Sequence, residues 1–178
     1  MPESVLLIGG PSTGKTTLIE SLKSMGYTCL DEVSREVIKE AQEQGIEQLF
    51  LEQPLLFSEL LLRSRIKQFE SVPTFHTDYV FLDRGIPDTV AYMDFINQEY
   101  SREFIDACND YRYDHVFILP PWKEIHTTDG ERYENFEQAV AIHKELINTY
   151  KKYSYEPTEI PKGAVADRAR FILDYLKD

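Results

Sequence analysis

The chain has 178 residues, with 19 Lys+Arg against 31 Asp+Glu and a formal net charge of −12. This length suits one domain that buries roughly 70% of the surface its unfolded form exposes, and a hydrophobic fraction of 42% excludes wholesale disorder. The charge excludes indiscriminate nucleic-acid binding and docking on anionic membranes, so an anionic ligand requires a local cationic feature that overrides the global field.

Ser4 to Ile8 is a short apolar run closed by glycines and predicts a buried strand. A helical pattern follows from Lys15 to Met25 and stops at Gly26. Tyr27 to Leu30 predicts a second strand, and Val33 to Gln44 a helix ended by Gly45. Pro54 to Phe69 predicts a longer helix with proline in its first turn, where a missing N–H costs nothing. Tyr79-Val80-Phe81-Leu82 is a third strand; helices over Asp88 to Ile96 and Ser101 to Cys108 precede a fourth, Val116-Phe117-Ile118-Leu119, stopped by Pro120-Pro121. Residues 121–134 are polar and irregular. Ala139, His143, Leu146 and Tyr150 then recur at helical spacing, Glu156 to Ile160 is a weak fifth strand, and a last helix spans Ala164 to Leu176. Helices between short apolar strands imply parallel pairing in an α/β sheet covered on both faces, within a single domain over residues 1–178.

Cys29 and Cys108 have apolar neighbours and no CxxC spacing, which predicts two buried thiols in a reducing compartment. The opening Met-Pro-Glu-Ser has no basic region, and no run approaches the roughly 18–20 apolar residues of a membrane helix. The expected setting is the cytoplasm.

The cationic feature demanded by the charge lies near the start. Gly9-Gly10-Pro11-Ser12-Thr13-Gly14-Lys15-Thr16 fits G-x-x-x-x-G-K-[ST], between a predicted strand and a predicted helix. Glycines let backbone N–H groups turn inward around an anion, and the helix points its positive end at the same place. Lys15 can reach the β- and γ-phosphates of a nucleotide and Thr16 can hold Mg²⁺. The cofactors expected are therefore ATP and Mg²⁺, with Gly9 to Thr17 as the nucleotide-binding segment.

Four apolar residues ending in Asp83 form a Walker B pattern, and Asp83 is the expected second metal residue. Many ATP hydrolases place Glu next, to activate water; here the next residue is Arg84. A guanidinium is no base near neutral pH but binds phosphate well, which favours transfer to an acceptor over hydrolysis. The GTPase motif Asn-Lys-x-Asp does not occur.

The second strand ends in Asp31-Glu32-Val33-Ser34-Arg35, at the sheet edge where ligands bind. Glu32 can accept a hydroxyl proton and Arg35 can hold an acceptor anion, or the same carboxylates serve as helix-terminal charges. Asp88 either caps the next helix or faces the acceptor. Residues 121–134 predict a lid carrying Lys123 and Arg132, of which Arg132 suits a phosphoryl group better. Lys162-Gly163, after the fifth strand, can lie against an adenine ring, with Arg168 stacked over it.

These stretches together resemble the P-loop kinase-like ATPases grouped as an AAA-type family near the nicotinamide riboside kinase domain. The residues carrying the resemblance are Gly9 to Thr17, Glu32 with Arg35-Glu36-Val37-Ile38, Asp83-Arg84-Gly85-Ile86-Pro87-Asp88, Asp129-Gly130-Glu131-Arg132 and Lys162-Gly163. Asp31-Glu32-Val33 lacks the Glu-Pro dipeptide common in deoxynucleoside kinases, which weighs against a nucleoside acceptor. The resemblance implies a three-layer α/β/α P-loop fold with a five-stranded parallel sheet in order 2-3-1-4-5, Mg-ATP, and phosphoryl transfer to a small acceptor. The expected enzyme is an ATP-dependent phosphotransferase or ATPase with Lys15, Glu32, Asp83, Arg84 and Arg132 in the chemistry. Glu32, Arg35, Arg84 and Asp88 would hold the acceptor. The expected partner is that small molecule, with a homodimer compatible with the sequence. The competing reading is a slow nucleotide-dependent regulatory protein whose surface tyrosines, Tyr150, Tyr153 and Tyr155, dock a partner.

Overall fold

Side-chain alternation in β1 (Glu3–Gly9) sets the architecture: Leu6 and Ile8 enter one core, Val5 and Leu7 the opposite one. The computed structural model describes residues 1–127 and 134–177. β1 pairs in parallel with β3 (Tyr79–Asp83) and β4 (His115–Leu119). β2 (Thr28–Leu30) joins β3 and β5 (Thr158–Glu159) joins β4, so the five-stranded order is β2-β3-β1-β4-β5, as the resemblance implies.

Helices cover both faces. On one, α1 (Lys15–Ser24) contributes Leu18, Ile19 and Leu22 and α8 (Val165–Tyr175) contributes Ala169 and Ile172, packed on Phe81 and Phe117. On the other lie α4 (Pro54–Ser71), α5 (Ile86–Phe95), α6 (Arg102–Asp110) and α7 (Phe136–Lys152), through Leu62, Val90, Phe104 and Leu146. A smaller core joins α2 (Ser34–Glu43), α3 (Leu49–Glu52) and α4 through Val37, Leu49 and Leu61. Each fully buried Phe or Leu in these cores contributes about 1.5–3 kcal/mol of apolar transfer.

The departures from expectation have local causes. The four-residue α3 is too short to show a period. α5 begins at Ile86, two residues before the expected start, because Pro87 needs no N–H partner in a first turn and Asp88 Oδ2 accepts the Gly85 N–H at 2.8 Å. β5 is confined to two residues just after Pro157, which cannot donate to a ladder.

The expectation of surface tyrosines at 150, 153 and 155 is overturned: these side chains are 0%, 5% and 7% exposed and belong to the main core. Tyr150 Oη donates to Asp88 Oδ2 at 2.5 Å, and Tyr155 Oη accepts the Tyr113 N–H at 3.1 Å, so these two buried hydroxyls have partners. Cys108 is buried as expected, whereas Cys29 is half-buried; burial raises their thiols to about 12 and about 11, so neither is a ready nucleophile. Among the described residues no helix is long and apolar enough to cross a membrane.

Parallel pairing brings every strand's C-terminal end to one edge. The segments after β1, β2, β3, β4 and β5 therefore meet there, and they carry Gly9 to Thr17, Glu32, Arg84, Lys123 and Lys162-Gly163.

Candidate active site

The turn between β1 and α1 is a cradle of backbone. Ser12 (φ 55°) and Gly14 (φ 81°) are both left-handed and flank Thr13, a local geometry that turns N–H groups to the inside of the loop. Thr13 Oγ1 donates to the Gly10 carbonyl at 3.1 Å. A Cβ on Gly9 would stand 3.0 Å from both the Leu119 carbonyl oxygen and Thr13 Oγ1, so this turn is too tight for a side chain. No side chain caps α1, which leaves its N-terminal N–H groups to an anion.

Later segments brace the cradle. Arg168 on α8 is 3% exposed; its Nη1 donates to the Thr13 carbonyl at 3.0 Å and its Nε to the Pro161 carbonyl at 3.2 Å. Its guanidinium lies 5.5 Å from the Trp122 ring centroid, so it stacks on a protein ring and clamps the loop, where the sequence suggested an adenine. Ser12 Oγ donates to the Thr127 carbonyl at 2.9 Å, tying the segment after β4 to the cradle. Lys162 and Gly163 are exposed on the 161–164 loop that Arg168 holds.

Beside the cradle the charged side chains alternate in sign. The Lys15 ammonium is hydrogen-bonded to the Asp83 carboxylate, and both are buried. Burial, then Arg84, lower the Lys15 pKa, while Asp83 and Glu32 oppose the shift. Arg84 follows Asp83 with φ 71°, a conformation that costs a non-glycine residue roughly 1–3 kcal/mol. That backbone sets the guanidinium 2.6 Å from Glu32 Oε2, an ion contact that is not aligned as a hydrogen bond. Glu32 Oε1 accepts from Arg65 Nη2 at 3.1 Å and from the Ser34 N–H at 3.1 Å. Burial pushes the Glu32 carboxyl up, but Arg65, Arg84 and Lys15 outweigh it and bring it down to about 2. Arg65 in turn donates to Thr89 Oγ1 at 2.8 Å and is attracted by Asp88. Lys15, Asp83, Arg84, Glu32, Arg65 and Asp88 thus balance three positive charges with three negative ones.

Asp88, at the far end of this chain of charges, also holds the fold together. Asp88 is 5% exposed at the third position of α5, between the Gly85 N–H and Tyr150 Oη, so it terminates a helix and binds the core. Arg35 is exposed in the first turn of α2, Asp31 pairs with Lys23 at 2.7 Å, and Lys123 is exposed in a short 3₁₀ turn. Arg132 and the rest of 128–133 lie outside the described residues. Arg65 was missed. Its signal was present: a lone arginine three residues after Leu62 and four after Leu61 sits on the buried face of a helix and needs a carboxylate partner.

Thr16 in the first turn of α1 and Asp83 at the end of β3 supply a hydroxyl and a carboxylate, hard oxygen donors that fit Mg²⁺. Mg²⁺ keeps several waters and shares substrate phosphates, so it needs few protein ligands. Among the described residues no group of three or more His, Cys, Asp or Glu forms a protein-only cage.

A phosphate cradle between a central strand and its helix, with an acidic strand end beside it, defines a P-loop nucleotide-binding protein. Within that class the chain belongs to the AAA domain family, whose model matches residues 4–168. No curated protein matches the sequence. Among solved structures it is similar to deoxyadenosine kinase from M. mycoides, at 18% identity over 98% of each chain with a TM-score of 0.70. It is similar also to the NadR protein in complex with NR, at 18% identity over 98% of this chain and 48% of that one, with a TM-score of 0.75. Thymidylate kinase from Candida albicans matches at 13% identity over 99% of this chain and 91% of that one, with a TM-score of 0.70. At these identities the likeness is one of fold.

Proposed function

We propose that the protein is a kinase that transfers the γ-phosphoryl group of Mg-ATP to a hydroxyl of a small molecule. The observation that carries this reading is the pair formed by Glu32 and Arg84, an ionised carboxylate and a guanidinium held together beside Lys15 and Asp83. Many ATP hydrolases place a base for water after the strand; here that position holds Arg84, a cation suited to phosphate, in a strained backbone.

In this reading the N–H groups of Gly9 to Thr17 bind the ATP phosphates and Lys15 leaves Asp83 for the γ-phosphate. Mg²⁺, held through Thr16 and Asp83, would neutralise charge between the phosphates. Glu32 orients the acceptor hydroxyl, whose oxygen bonds to phosphorus as the bond to the bridging oxygen breaks. The electron pair leaves with ADP, and the hydroxyl proton goes to Glu32 late in the step. The transition state is loose, so a carboxylate of low basicity suffices if it is well placed. Arg84 and Arg132 stabilise the transferring group, residues 121–134 act as a lid, and Lys162-Gly163 flank the base of ATP. Arg35, exposed near Glu32 in sequence, is the residue assigned to an anionic part of the acceptor. Asp88 acts from beneath, by fixing the start of α5.

Similarity to deoxyadenosine kinase, thymidylate kinase and NadR with NR supports an acceptor of small-molecule size. The two free thiols fit the cytoplasmic setting. The regulatory alternative loses its motivation with the burial of Tyr150, Tyr153 and Tyr155. Screening the purified protein against nucleosides, vitamins and sugars for acceptor-stimulated ADP release tests the kinase reading. ATP hydrolysis at one constant rate across the panel would refute it.

A further inference from the structure

Two arginines share the Glu32 carboxylate, and they are held very differently. Arg84 has a side chain 35% exposed, stands on a strained φ, and touches Oε2 without hydrogen-bond alignment. Arg65 has a side chain 4% exposed and donates one hydrogen bond to Oε1 and another to Thr89 Oγ1. One contact can be exchanged for a ligand anion; the other is locked between α4 and α5.

We propose that Arg65 is a positioning residue that holds the Glu32 carboxylate in place while Arg84 leaves it for the transferring phosphoryl group. This rests on the kinase reading for its purpose, but not for its geometry. When Arg84 moves to phosphate, Glu32 loses one of its two close cations in a buried setting, where a carboxylate without partners is strongly disfavoured. Lys15 moves to phosphate in the same step and weakens its pull. The remaining support is Arg65 from α4 and the Ser34 N–H from α2. Arg65 is itself steadied from α5 by Thr89 and Asp88, the latter fixed to Tyr150 on α7. Glu32 and Asp88 attract both arginines, which repel each other, and Asp83 adds its own pull on Arg84.

The test compares Arg65→Gln, Arg65→Lys, Arg84→Gln and Thr89→Val with wild type. Two readouts are taken: the titration of the Glu32 carboxyl by carbon-13 NMR without substrate, assigned with Glu32→Gln, and steady-state kinetics. Arg65→Gln should move the Glu32 titration to higher pH and lower kcat about 10- to 100-fold, while KM for ATP stays within about twofold. Arg65→Lys should restore part of both. Thr89→Val, which keeps the arginine, should shift both in the same direction by less and serves if Arg65→Gln does not fold. A Glu32 titration unchanged in Arg65→Gln or Thr89→Val would overturn the proposal, as would a kcat loss that only follows the fraction unfolded. A titration shift in Arg65→Gln without acceptor-dependent turnover in wild type would refute the kinase reading and leave the support of Glu32 by Arg65 standing.

Discussion

Around Lys15 the site is made of backbone: nine consecutive residues, Gly9 to Thr17, bend a loop whose shape is set by φ angles, tight approaches and an uncapped helix. Around Glu32 it is made of side chains: Glu32 after β2, Arg65 on α4, and Arg84 and Asp88 at the β3–α5 junction satisfy one another's charges. In the proposed kinase the first region takes the polyphosphate, which looks the same in every nucleotide, and the second faces the acceptor. The two meet at Asp83-Arg84, one residue on Lys15 and the next on Glu32.

Variants should therefore separate the two regions. The largest effect is expected from Lys15→Ala, which removes the cation of the backbone region: ATP binding by calorimetry should fall below detection and turnover by about 1,000-fold or more. ATP binding retained within tenfold would detach Lys15 from the cradle. Next comes Arg84→Gly. It deletes the guanidinium proposed to bind phosphate and its contact with Glu32 but relieves a φ of 71°, so turnover should drop about 100-fold while unfolding stability stays within about 1 kcal/mol of wild type. A loss of several kcal/mol would show that the Glu32 contact outweighs the relieved strain.

A smaller, pH-dependent effect belongs to Glu32. Its carboxyl sits at about 2 in the folded chain against an ordinary 4.5, so its ion contacts stabilise the fold fully above about pH 5. That contribution is lost as pH falls from the ordinary value through about 2. Denaturant unfolding of wild type and Glu32→Gln should differ most near neutrality and converge in acid; a constant gap would exclude the ion contacts as its source. Smallest is Ser12→Ala, which removes the tie to the Thr127 carbonyl: about 0.5–1.5 kcal/mol, seen as faster amide exchange at Thr127 with ATP affinity little changed.

The same contrast explains what could be read from sequence. The cradle was legible because its residues are contiguous and its chemistry fixes their spacing. The strand order followed from the family resemblance, and the alternation of strands with helices already required parallel pairing. Asp83 and Arg84 were legible because a strand end declares its edge. For Arg65 the helical spacing marked burial, but its partner did not show, since that comes from the crossing of α4 over the β2 end, 33 residues from Glu32 in sequence. Tyr153 and Tyr155 were misread for a related reason. A tyrosine near a helix end has no periodic mark of burial, and the Arg112 guanidinium 3.9 Å from the Tyr155 ring centroid is a tertiary contact. The contact of Arg168 with Trp122 was not legible either, because Trp122 belongs to a different strand end.

The central claim is transfer to a hydroxyl in preference to transfer to water. Phosphorus-31 NMR of the protein with Mg-ATP and each member of a panel of small hydroxyl compounds tests it directly. At least one compound should give a new phosphomonoester resonance that grows in step with ADP and is lost in Arg84→Gly. ADP appearing in step with inorganic phosphate alone, at a rate no compound alters, would contradict it.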